Sequence, residues 1–278
     1  MDAIYGEGLL RVMADQADHP PWLGFWRTMA FLGSPTFYSA LIPIAFAILP
    51  RRASLRLALL FASSATLAEG LKHAIGRARP DPTIFGLGEG LEHAGSFENA
   101  ALPSGHALMA VVLWGWLALR TRSLPVRTTA LVVILLISFS RLALIRHDLL
   151  DVAAGWCAGA ALLLGVQRGD RAWGESLARL PGIEGAGLWL LSCVVLQMVV
   201  GLDVTAIVLG VAAGLGTGAI AAARLRARAT RPGPLSILGR IVLGVAAVAA
   251  ARILAEPQTG VAATMLFGIY FGAALWVA

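Results

Sequence analysis

The chain has 278 residues, of which 58% are hydrophobic and 14% charged, with a formal net charge of +6. A soluble domain carries about 25% charged residues; here the mean hydropathy is +0.77 and the charges sit in short breaks between long apolar runs, which excludes an ordinary water-soluble fold. The surplus of cations does not mark a nucleic-acid binder, because the basic residues lie at the ends of apolar segments, where they set orientation, without aromatic interleaving.

Taken in chain order, residues 1–34 mix Asp2, Glu7, Asp15 and Asp18 with Leu9, Leu10, Val12, Trp22, Phe25 and Trp26, and are divided by Pro20-Pro21. This predicts two short amphipathic pieces on the outer leaflet with the tryptophans at headgroup depth, an anchor and not a crossing. No basic-apolar-small pattern opens the chain, so a cleaved signal peptide is not expected. A crossing takes about 17–25 apolar residues. The candidate spans are 35–50, 54–76, 104–121, 126–145, 148–167, 186–200, 203–223, 234–254 and 259–277. The expected fold class is therefore all-α, a polytopic transmembrane bundle of about nine spans. The sixth is short and ends at Gly201-Leu202-Asp203, so eight crossings with a re-entrant hairpin is the alternative. Three regions follow: 1–34 at the outer leaflet, 35–167 as the core carrying the motifs below, and 168–278 as additional C-terminal spans.

The loop cations set the orientation. Alternate breaks hold Arg51, Arg52 and Arg56, then Arg120, Arg122 and Arg127, then Arg168, Arg171 and Arg179, then Arg224, Arg226, Arg228 and Arg231, thirteen of the 22 basic residues. Those breaks are expected to be cytoplasmic. The others contain Asp81, Glu89, Glu92, Glu98, Asp203 and Glu256 and are expected to face outward, with the N-terminus outside and the C-terminus inside. In the C-terminal third, Gly210-Val211-Ala212-Ala213-Gly214 supplies small residues for close helix packing. Arg240 and Arg252 read as snorkelling cations near span ends. Cys157 and Cys193 lack metal-ligand spacing and read as small buried hydrophobes.

Three phrases carry chemistry: Lys72-x6-Arg79-Pro80, Pro103-Ser104-Gly105-His106, and Ser140-Arg141-x5-His147-x3-Asp151. All fall on the outward side. His147 and Asp151 are four apart, so on a helix they share a face; the carboxylate would fix the imidazole tautomer and leave the other ring nitrogen as a nucleophile toward phosphorus. Asp148, one residue away, would point elsewhere. Pro103 suits a helix start, where Ser104, Gly105 and His106 turn backbone N–H groups and a hydroxyl toward an anion. His106 is placed to protonate a leaving oxygen and then to deprotonate water. Lys72, Arg79 and Arg141 supply the cationic cradle. Glu69, a turn before Lys72, would either hold that lysine or be a plain polar residue near a span end. His19, His73 and His93 match no motif.

The order, spacing and residue types of these phrases resemble the type-2 phosphatidic acid phosphatase and vanadium haloperoxidase superfamily. The likeness covers about residues 60–167, with a weaker echo in Leu32-Gly33-Ser34-Pro35. The resemblance implies a six-helix core and metal-independent dephosphorylation with no cofactor. It gives His147 as nucleophile, His106 as acid and Asp151 as its partner, with Lys72, Arg79, Ser104, Gly105 and Arg141 binding phosphate. The ordinary bacterial lipid phosphatase of that family has six crossings; nine with the N-terminus outside look more like glucose-6-phosphatase. The expected function is hydrolysis of a lipid phosphate or diphosphate at the outer face, through a phosphohistidine, in a bacterial inner membrane. The expected partners are the bilayer and that lipid, and no nucleic acid. The break from Arg77 to Leu102, with Phe85, Phe97 and several glycines, is consistent with a mobile lid and equally with an inert loop. Alternatives are a soluble sugar phosphate, phosphotransfer to another lipid, a vanadate-dependent haloperoxidase, and a transporter or scaffold without catalysis.

Overall fold

The computed structural model describes residues 20–80 and 100–178, position 8, and a few helical positions between 237 and 246. The described elements are α1 (Pro20–Leu32), α2 (Pro35–Ile48), α3 (Arg51–Ile75), α4 (Gly105–Arg120), α5 (Leu124–Ala143) and α6 (Leu149–Ala178), with no strand among the described residues. The described residues are all-helical, in keeping with the apolar pattern. Four of the expected spans, 186–200, 203–223, 234–254 and 259–277, lie wholly or mostly outside the described residues, as does the chain from 81 to 99.

Local sequence sets each helix end. Ser34 caps α2, its Oγ accepting the Phe37 N–H at 3.2 Å, and Pro35 takes the first helical position, where a missing N–H does no harm. Gly76, at φ 61°, ends α3 in the left-handed conformation that glycine adopts freely, and its N–H closes on the Lys72 carbonyl at 2.8 Å. α5 ends in the same kind of turn built from a worse residue. Ile145 sits at φ 51°; its N–H bonds the Leu142 carbonyl, and the Arg146 N–H bonds the Arg141 carbonyl, each at 3.0 Å. A β-branched residue there costs about 1–2 kcal/mol, and the position lies two residues before His147. α6 opens on a capping box: the Asp151 N–H donates to Asp148 Oδ1 at 3.0 Å, and the Asp148 N–H donates to Asp151 Oδ2 at 3.1 Å.

Among the described residues, two helices are long and apolar enough to cross a bilayer, Leu124–Ala143 and Leu149–Arg168, and Pro21–Leu32 with Pro35–Ala45 passes the same test only as a bent pair. Twenty residues rise about 30 Å, the thickness of the hydrocarbon layer. Leu124, Leu131, Val132 and Leu164 are exposed along those helices, as lipid-facing positions would be.

The chain divides into two units. One comprises residues 1–37 and 67–167; the other comprises 38–66 and 168–278. Within the second, Tyr38 and Ile42 are buried, and Ser54 Oγ donates to the Ala45 carbonyl at 2.9 Å. The first holds all three motifs. Its core joins Trp26 and Ala30 of α1 to Ala107 of α4, Leu142 and Ala143 of α5, Leu144 just after α5, and Val152 of α6. Trp26, expected at headgroup depth, is therefore packed inside: α1 runs against α5 instead of lying apart from the bundle. The apolar stripe that reads as membrane-seeking also serves a helix-packing role, and sequence pattern does not separate the two.

Apolar burial gives little drive between helices in lipid, so close approach through small residues has to supply it. α6 does this with Gly155 and Gly159. A Cβ at Gly155 would stand 2.7 Å from the Ser104 carbonyl oxygen, and one at Gly159 would stand 2.7 Å from that of Leu108. Both obstacles are backbone and cannot rotate away. Gly155→Ala is therefore expected to force α4 and α6 apart, at roughly 1–3 kcal/mol of stability, seen as a lower thermal midpoint in detergent. An unchanged midpoint would mean that the two helices do not meet there. Cys157, two residues on and about 200° around the helix, is exposed; the reading of it as buried is corrected by that geometry. Cys193 lies outside the described residues.

Candidate active site

The motif residues come from different helices and reach one end of the first unit. α3 ends near Lys72, α4 begins at Ser104, α5 ends at Arg141, and α6 begins just after His147. Consecutive helices that alternate in direction bring these four ends together. The Ser104 N–H donates to the Asp151 carbonyl at 2.9 Å, which ties the start of α4 to the start of α6. Gly105 faces α3: a Cβ there would lie 3.9 Å from Lys72 Nζ. His106 lies within electrostatic reach of Arg141, His147, Lys72 and Arg79. Gly33, in the turn between α1 and α2, covers it from another side; a Cβ there would stand 3.3 Å from His106 Cδ2 and 2.3 Å from Ile137 Cγ2.

Several polar atoms are buried here without a hydrogen-bond partner: Arg79 Nε, Ser104 Oγ, Arg141 Nε and His147 Nδ1. Ser104 caps α4 by backbone conformation alone, since its hydroxyl makes no capping bond. The first-turn N–H groups of a helix have no acceptor within the helix, so α4 presents donors at this end; the Ser104 N–H is not one of them, because Asp151 takes it. Among the described residues, the ion pairs formed here do not include Arg79 or Arg141, whereas Lys72 Nζ meets Glu69 Oε1 at 2.6 Å. Glu69 thus holds the lysine. His73 is exposed and takes no part; His19 and His93 lie outside the described residues.

His147 precedes α6 and does not lie on it, so the shared helical face expected for His147 and Asp151 is not how they meet. The capping box folds the Asp151 carboxylate back over the helix start, with Oδ2 3.4 Å from His147 Nδ1 and no hydrogen bond between them. Asp148 does turn away from the imidazole, toward the Asp151 N–H and Arg77. Burial pushes the His147 pKa well below the usual histidine value, and the charges of Arg141, Arg79 and Lys72 add to it against a smaller opposing effect of Asp148. The imidazole is therefore neutral at neutral pH. Burial also lowers Arg79, with Glu69 and Asp151 opposing, and lowers Arg146, with the Arg79 charge adding.

Arg77 belongs to none of the three sequence motifs. Its guanidinium bridges Asp148 and Asp151, and its pKa is raised, chiefly by the hydrogen bond to Asp148. The signal for the capping box was available in Asp148-x2-Asp151 before an apolar run. The signal for Gly155 and Gly159 was available in their four-residue spacing. Nothing in the sequence pairs Arg77 with carboxylates more than seventy positions away.

With this geometry in place, a comparison with family models matches residues 53–173 to the PAP2 superfamily. That stretch is similar to the PAP2 superfamily. The match extends slightly beyond the 60–167 expected from the motifs and contains every one of them. Similarity to the PAP2 superfamily indicates phosphatase chemistry in general. No curated protein and no solved structure matches the chain.

Proposed function

We propose that this protein is a membrane phosphatase that hydrolyses a lipid phosphate or diphosphate at the outer face, through a phosphohistidine on His147 and without a metal. The observation that carries the reading is the set of unpartnered buried atoms of Arg79, Ser104 and Arg141 gathered around two histidines. Polar atoms of cations buried without a partner are costly, and a phosphate dianion satisfies them together.

In this mechanism Lys72, Arg79 and Arg141 hold the equatorial phosphoryl oxygens, with the Ser104 hydroxyl and the first-turn N–H groups of α4 as further donors. The nucleophile is His147 Nε2, because Nδ1 faces Asp151. Its lone pair forms the N–P bond as the P–O bond to the leaving alcohol or phosphate breaks, and His106 gives that oxygen a proton. Neutral His106 then takes a proton from water, whose oxygen attacks phosphorus and breaks the N–P bond. Inorganic phosphate leaves and His147 is regenerated. Asp151 stabilises the imidazole electrostatically as it gains positive charge.

The lipid assignment rests on the place of the site at the ends of membrane-length helices, where a headgroup would lie. Purified full-length protein in detergent should release phosphate from at least one of phosphatidic acid, phosphatidylglycerophosphate and undecaprenyl diphosphate faster than from glucose 6-phosphate. Release from the sugar phosphate alone would overturn the lipid assignment and leave the chemistry in place.

A further inference from the structure

Arg77 lies outside the three motifs, yet its guanidinium makes two ion pairs. Nη1 donates to Asp151 Oδ1 at 2.5 Å and to Asp148 Oδ1 at 3.0 Å, and Nη2 donates to Asp148 Oδ2 at 2.5 Å. The Asp148 and Asp151 side chains are 4% and 0% exposed. Two buried carboxylates three residues apart repel, and one planar fork placed between them offsets that repulsion. Arg77 is also anchored by its backbone: its carbonyl accepts the Ala101 N–H at 2.6 Å, in the segment leading to α4. The residue thus fastens the stretch carrying Arg79 to both the entry of α4 and the first turn of α6. Both Asp151 oxygens are occupied, one by Arg77 and the other by the Asp148 N–H, which leaves His147 Nδ1 3.4 Å away and unbonded.

We propose that Arg77 is a positioning residue of the phosphatase site, clamping Asp148 and Asp151 so that His147 keeps its place and meets a neutralised pair of carboxylates. This rests on the phosphatase reading for its kinetic consequence only. Arg77 does not touch phosphate; it acts through Asp151 and the start of α6.

The charges facing His147 come from every neighbouring element. Lys72, with Glu69 behind it, is on α3, and Arg79 follows that helix. His106 is on α4 and Arg141 on α5, while Arg146, Asp148 and Asp151 flank the imidazole itself. Removing Arg77 alone leaves all of these and exposes His147 to two uncompensated carboxylates, which favour its protonated form. In Arg77→Met the titration of His147, followed by NMR with labelled histidine, is expected to move up by roughly one pH unit or more. The acid limb of kcat/KM on phosphatidic acid in detergent micelles should move with it. kcat should fall roughly tenfold to a hundredfold, as when a supporting contact loosens a reacting geometry, while KM stays near wild type. Arg77→Lys keeps the charge and loses the fork, so kcat should fall while the titration stays near wild type. Should Arg77→Met not fold, the lysine variant and Arg77→Met with Asp148→Asn carry the test, the latter with a smaller upward shift. An unmoved His147 titration in the methionine-containing variants, or a raised KM with unchanged kcat in the lysine variant, overturns the clamp. The titration needs no turnover, so absence of phosphate release by the wild type would sink the phosphatase reading and still leave Arg77 decided.

Discussion

Full-length protein carrying His147→Ala is expected to release phosphate at least about 10⁴-fold more slowly than wild type, since a nucleophile that forms a covalent intermediate has no substitute among its neighbours. The neighbours of His147 are cations, which cannot attack phosphorus, carboxylates already held by Arg77 and the capping box, and His106, which this mechanism places on the leaving oxygen instead of opposite it. Free imidazole should restore part of the rate by entering the space left behind. Retention of activity without added imidazole would place the nucleophile elsewhere. The pH dependence gives an independent reading of the same residue. A histidine in water titrates near ~6.5, and burial with three nearby cations holds His147 well below that value. Attack needs the neutral ring, and a lowered pKa keeps it neutral to lower pH. The acid limb of kcat/KM is therefore expected below the ordinary histidine range, with activity lost as pH falls through the lowered value. A limb at or above the ordinary value would mean that the imidazole is not shielded from protons in the way its surroundings imply.

The motifs were legible because the residue types are rare in apolar sequence and their spacings are short. Ser104, Gly105 and His106 read as a helix start, and α4 begins at Gly105. What the sequence hid was decided by tertiary pairing. The four-residue spacing of His147 and Asp151 suggested one helical face, yet the helix begins two residues after the histidine, because Asp148 caps it. The proximity expected from the wrong geometry arises from the right residues. Trp26, which the amphipathic pattern puts at headgroup depth, is buried in one cluster with Ala107 and Leu142, since an apolar stripe does not say whether lipid or another helix covers it. Ile145 gave no warning at all. Its left-handed conformation is imposed by the need to turn the chain from α5 into the His147 segment, where sequence preference would place glycine. A strained residue so near the proposed nucleophile fits a site whose geometry is held by its surroundings.

The second large effect is expected at Arg141. Its backbone and side chain serve the site separately: the carbonyl accepts the Arg146 N–H at 3.0 Å and the His147 N–H at 3.3 Å, and no side-chain substitution removes those bonds. The guanidinium is buried, 9% exposed, with Nε unpartnered and no ion pair among the described residues. Arg141→Met should therefore leave His147 in place and remove one preorganised donor from the transition state, a loss of about 2.7–4 kcal/mol, or roughly 10²–10³-fold in kcat/KM. If the donor is engaged mainly in the transition state, kcat should fall with kcat/KM; a rise in KM alone would make Arg141 a ground-state binder. Arg141→Lys restores charge without the planar fork and should recover only part of the loss. The same substitution has an opposite expected effect on the fold. A buried cation without a counter-charge opposes folding until substrate arrives, so methionine of similar volume should raise stability in the absence of substrate, by roughly 1–4 kcal/mol on the scale seen when buried charges are replaced by apolar side chains. Activity lost with thermal midpoint gained marks a residue kept for its ligand. Activity and stability falling together would instead make Arg141 a structural member of the α5 terminus, and the cradle would then rest on Lys72 and Arg79.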